Sequence, residues 1–124
     1  MTGNEYQQLA MRTNDGLNTT RLTDAIFDCN TIAIAQLING VLGLTGEAGE
    51  VSDLVKKGIF HEKGIDLERL KKELGDCAWY LAMICDACRF TLDDVMQTNI
   101  DKLKARYPKG FDTYRANNRA EGDI

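Results

Sequence analysis

The chain has 124 residues, 44% hydrophobic and 27% charged, with a formal net charge of −4 and a single proline, Pro108. That is the size and balance of one globular domain; the acidic balance argues against a nucleic-acid surface, which needs clustered Lys and Arg, and no window approaches a membrane span. The opening MTGNEYQQLAMRT has no apolar signal-peptide core, so a cytoplasmic location is expected, with Cys29, Cys77, Cys85 and Cys88 reduced.

In chain order, Asn4 to about Arg12 reads as a short amphipathic helix with Tyr6, Leu9 and Ala10 inward. Thr13–Thr20 (TNDGLNTT) reads as a loop, and Arg21–Asn30 has room for a short helical turn. Thr31 to about Ile59 reads as a long helix, with Ile34, Leu37, Ile38, Val41, Leu44, Val51, Leu54 and Val55 at helical spacing. Gly40, Gly43, Gly46 and Gly49 recur along it at a three-residue step, a row of small residues that lets another helix approach. Gly58–Asp66 is a connection. Asp66 is the candidate N-cap of a second long helix, Leu67 to about Arg89. From Cys77 onward that helix is apolar on both sides, which predicts burial on more than one side. Thr91, with Asp94 three residues on and Phe90 and Val95 as a staple, starts a third long helix that runs to about Arg106. The tail from Lys109 is polar. The fold expected is all-α: a helical bundle around a long antiparallel hairpin, completed by oligomerisation. It forms a single domain over 1–124, with a core at 31–111 and a polar tail at 112–124.

Two short patterns stand out on consecutive helices, Glu47-x-x-Glu50 and Glu73-x-x-Asp76. Residues three apart share a helix face, and both pairs lie at similar distances from the connection. Antiparallel packing therefore lets four carboxylates converge. Such a group repels itself unless a cation neutralises it, and hard oxygen donors suit Mg²⁺ or Mn²⁺. A single acidic pair is usually a solvated face. With two mirrored pairs and glycines beside the first, solvated faces and a shared cation site stand equally open. On the third long helix Asn99, Lys102 and Arg106 fall on one stripe. Cations suit a helix C-terminus in any case. An amide, an ammonium and a guanidinium in line also suit a polyphosphate.

The segments GLTGEAGEVSDLVKK, LKKELGDCAWYLA and NIDKLKARYPKGF together resemble the MazG-like nucleotide pyrophosphohydrolases of the all-α NTP pyrophosphatase superfamily. The resemblance covers Leu37 to Phe111, and NEYQQLAMRT is similar to the start of small phage and bacterial members. It implies Mg²⁺-dependent hydrolysis of a nucleoside triphosphate to the monophosphate and pyrophosphate. It implies metal binding by Glu47, Glu50, Glu73 and Asp76, phosphate contacts from Lys102 and Arg106, and support from Asn99. It also implies a homodimer or homotetramer in which neighbouring subunits complete the site. No family pattern is evident in Thr13–Asn30, and the chain lacks the tandem form.

On that reading one carboxylate, Glu50 first and Glu47 beside it, accepts the proton of an attacking water; the pattern does not separate base from ligand among the four. Trp79 and Tyr80 are candidates to stack on a base, although filling a core or interface is the commoner use. Cys85-x-x-Cys88 reads as packed core, since a zinc site needs two more suitably spaced ligands. Asp53 is as ordinary solvated as bound to metal, and Lys56, Lys57, Lys71 and Lys72 form either a wet rim or a phosphate funnel. A di-iron carboxylate bundle is discarded, because it needs two Glu-x-x-His units and the chain has one histidine, His61. The alternative function is a non-catalytic oligomeric helical module that binds a nucleotide or a protein partner.

Overall fold

The computed structural model describes residues 1–119. Six helices follow in chain order: α1 (Gly3–Met11), α2 (Asn18–Asp28), α3 (Ile34–Phe60), α4 (Leu67–Ala87), α5 (Leu92–Arg106) and α6 (Thr113–Asn117). No strand occurs among the described residues, so the chain is all-α as expected. Side chains start four of these helices. Thr2 and Glu5 form a reciprocal capping box on α1. The Asp66 carboxylate accepts the Arg69 backbone N–H at 3.0 Å, and the Thr91 hydroxyl accepts that of Asp94 at 3.1 Å. Asp112 caps α6 by accepting from Tyr114 and Arg115.

The α3–α4 hairpin is the one extensive helix packing among the described residues. Its antiparallel register follows from where the glycines of α3 meet α4. A Cβ on Gly43 would stand 2.1 Å from the Tyr80 ring, and one on Gly40 would stand 2.8 Å from Ile84. Glycine at these two positions is what lets the helix axes come so close. At the turn the Gly64 backbone N–H donates to the Gly58 carbonyl at 3.1 Å, and a Cβ on Gly58 would collide with Ile65 and Gly64. The opposite end is fastened by polar bonds. The Ala33 N–H donates to the Ala87 carbonyl at 2.9 Å, Gln36 donates to Asp86 at 2.7 Å, and Arg89 donates to the Asn30 carbonyl at 3.2 Å.

Several expectations change. Gly46 and Gly49 face open space, so only the first half of the glycine row serves close packing. At roughly 100° per residue a three-residue step falls about 60° short of a full turn, which carries the later glycines off the α4-facing side. The segment 31–33 is a strap tied to the end of α4 rather than the first turn of α3. The short turn expected at 21–30 is a full helix that begins within the expected loop, at Asn18. The polar tail contains α6; its residues 120–124 lie outside those described.

The expected two-sided burial of α4 does not occur within the single chain. Cys85 and Ala87 are its buried residues, whereas Trp79 is 58% exposed. Helix α5 touches α4 only slightly and buries no residue; Met96, Ile100 and Leu103 lie open along it. Among the described residues, α4 and α5 thus keep large apolar side chains exposed.

Candidate metal centre

The register that sets Gly43 against Tyr80 and Gly40 against Ile84 brings Glu47, one turn further along α3, level with Asp76 and Cys77. Glu47 lies four residues beyond Gly43, on nearly the same side of α3. It is half-buried in the seam between the helices. From α4, Glu73 and Asp76 reach the same point: one carboxylate oxygen from each of Glu47, Glu73 and Asp76 lies within 4.8 Å of the others. Glu73 is also half-buried and Asp76 is exposed, so the group opens to solvent on the Asp76 side.

The electrostatics follow from this crowding. Desolvation between the helices, then the charges of Glu50, Asp76 and Glu73, hold the Glu47 carboxyl above its ordinary value of 4.5. A carboxylate so placed gains from a cation. The donor set fits a hard divalent ion: all donors are carboxylate oxygens, and they come from two rigid elements. Ligands of one Mg²⁺ at about 2.1 Å stand at most about 4.2 Å apart, so closing the group onto an ion needs only small side-chain rotations.

Three of the four carboxylates expected at the centre are therefore together. Glu50 is exposed and outside the three-oxygen group. The three-residue step that turns Gly46 away from α4 turns Glu50 away from Glu47 by the same angle, although its charge still acts on Glu47. Asp53 pairs with Lys57 at 2.5 Å, which holds its carboxyl below the usual range.

Asn99 and Lys102 are exposed on α5, and Arg106 is half-buried with its guanidinium 6.0 Å from the Tyr107 ring centroid. None of the charges that move Glu47 lies on α5. Trp79 meets Tyr80 edge to face at 4.9 Å and otherwise faces outward. Cys85 is buried, in keeping with a core role.

One residue beside the centre was not singled out from the sequence. Arg69 donates from Nε to Glu73 Oε1 at 3.1 Å. The signal was present in LERLKKE, where Arg69 and Glu73 stand at the i, i+4 spacing of a helical ion pair.

Comparison with known proteins bears on the same region. The model of the MazG nucleotide pyrophosphohydrolase domain matches residues 37–111, which include both acidic pairs and the α5 stripe. The chain is 33% identical over 96 residues to the Gene 37 protein of Mycobacterium phage L5, covering 74% of this chain and 82% of that protein. No solved structure gave a significant match. A hairpin of two long helices with carboxylates meeting at its seam, in a chain matched over that hairpin and α5, belongs to the MazG nucleotide pyrophosphohydrolase family.

Proposed function

We propose that this chain is a divalent-metal-dependent nucleoside triphosphate pyrophosphohydrolase that releases pyrophosphate and a nucleoside monophosphate. The observation that carries this is the meeting of Glu47, Glu73 and Asp76 across the α3–α4 seam in a member of a nucleotide pyrophosphohydrolase family. Those three residues would hold Mg²⁺, or Mn²⁺ in its place. When bound, such an ion neutralises phosphate oxygens and acidifies a coordinated water.

The chain's own groups would do the rest. Glu50, exposed beside the group, is the base that takes the proton of the attacking water, and Glu47 is its alternative. The water oxygen bonds to the α-phosphorus, and the bond to the pyrophosphate oxygen breaks. Lys102 and Arg106 offset charge on the phosphates, and Asn99 steadies them or the sugar.

Within the chain α5 makes only slight contact with α4, and Trp79, Met96, Ile100 and Leu103 are exposed. Both features support assembly as a homodimer or homotetramer in which α5 and Trp79 reach their working positions. Trp79 then covers a base or a subunit seam. No helix among the described residues is long and apolar enough to cross a membrane, and the acidic balance offers nothing to nucleic acid. We also propose a cytoplasmic role in removing noncanonical nucleotides, or in controlling the nucleotide pool, which the family membership suggests.

Pyrophosphate release measured over a panel of NTPs and dNTPs, with Mg²⁺ and with chelator, tests it. Turnover should require the metal, and Glu73→Gln should lower it by about 100-fold or more with the fold intact. Nucleotide binding without release on every member of the panel would instead favour the non-catalytic module.

A further inference from the structure

We propose that Arg69 sets the cation preference of this centre by confining Glu73 to one coordinating oxygen, an inference that rests on the metal reading above. Asp66 fixes the starting point, because its carboxylate takes the Arg69 backbone N–H at 3.0 Å and so holds Arg69 in the first turn of α4. From there the side chain runs along the helix, and Nε donates to Glu73 Oε1 at 3.1 Å. The contact is a single bond from the inner nitrogen of the guanidinium, so it engages one oxygen and leaves the other free. Glu73 is the more enclosed partner, with its side chain 12% exposed against 62% for Arg69. The more exposed Arg69 thus flanks a carboxylate of which one oxygen lies within 4.8 Å of oxygens of Glu47 and Asp76. Beyond it lies a cavity of about 290 Å³ at the hairpin end, lined among others by Asp53, Lys57, Lys63 and Asp66.

The consequence is chemical. Mg²⁺, and Mn²⁺ in its place, takes octahedral single-oxygen ligands at short range, whereas Ca²⁺ accepts more oxygens and readily takes both oxygens of one carboxylate. With Oε1 accepting from Arg69, two-oxygen coordination by Glu73 would bring a cation onto the oxygen that already holds the guanidinium, where the two positive charges oppose each other. Calcium loses a ligand that magnesium and manganese do not use. Arg69 is thus a positioning residue, of the kind that orients metal ligands from outside.

The test compares Mn²⁺ and Ca²⁺ affinities by calorimetry in the wild type, Arg69→Met and Arg69→Lys, with circular dichroism as a check of fold. Arg69→Met should shift the ratio of the two affinities toward calcium by about three- to tenfold. Arg69→Lys keeps the charge but lacks the Nε–H, and should shift the ratio the same way by less. Equal rises for both metals in Arg69→Met would mean that only charge had been removed, and would overturn the proposal; so would wild-type ratios in both variants. A wild type that binds neither ion would strike the metal reading itself, and this inference with it.

Discussion

The α3–α4 hairpin and the α5 arm are both amphipathic helical segments, yet among the described residues only the hairpin packs extensively. In the hairpin, Gly40 and Gly43 remove the side chains that would hold the axes apart, and Tyr80 and Ile84 fill the space. Helix α5 contains no glycine, makes slight contact with α4, and keeps Met96, Ile100 and Leu103 exposed. The difference teaches that an apolar stripe specifies burial but not the partner, whereas a glycine opposite an aromatic ring specifies both. It also separates the charged groups: Glu47, Glu73 and Asp76 meet on the hairpin, whereas Lys102 and Arg106 stand on α5.

The contrast can be broken most strongly at the hairpin. Gly43→Ala should destabilise the fold by about 1–3 kcal/mol in chemical denaturation, because its Cβ meets a ring it cannot pass. Gly46→Ala, with open space at its Cβ, should instead leave stability unchanged or raise it by up to about 1 kcal/mol. Equal effects at the two positions would mean that the register described above is wrong. A smaller effect is expected on the arm. Arg106→Ala should lower kcat/KM by about tenfold with the helical fold retained in circular dichroism. Loss of stability without loss of kcat/KM would make the residue structural.

The smallest effect lies outside both regions, at the pair Asp15–Arg21, which closes the loop before α2. The guanidinium of Arg21 and the Leu17 backbone N–H hold the Asp15 carboxyl below its ordinary value of 3.8. Its contribution is therefore present above that value and is lost as the pH falls through the lower folded one. Asp15→Asn should loosen α2 slightly in hydrogen exchange at neutral pH, and variant and wild type should converge in strong acid.

The sequence carried the hairpin well. Asp66 and Thr91 cap where their residue types and positions indicate, and two mirrored acidic pairs locate the seam. What it carried poorly has physical causes. Helix α2 begins with Asn-Thr-Thr, residues of low helix propensity, after Leu17, which makes no side-chain cap; its start therefore reads as loop. The strap at 31–33 follows from bonds to residues more than fifty positions away, which no local pattern encodes. Glu47 and Glu50 look equivalent in the string, and only their angle about the helix, measured against a partner, separates them. Arg69 was missed because an exposed i, i+4 pair on a helix is so ordinary that nothing marks it until Glu73 is seen in company.

The hairpin is pinned at both extremities, by Gly58 and Gly64 at the turn and by Gln36 and Asp86 at the open side. Crowded anions midway between two such fastenings have no hinge to spread about. A proton or a cation at that point would relieve their mutual repulsion without any movement of the helices. A hairpin fastened at both ends thus keeps its carboxylates at a set spacing, whatever occupies the space between them.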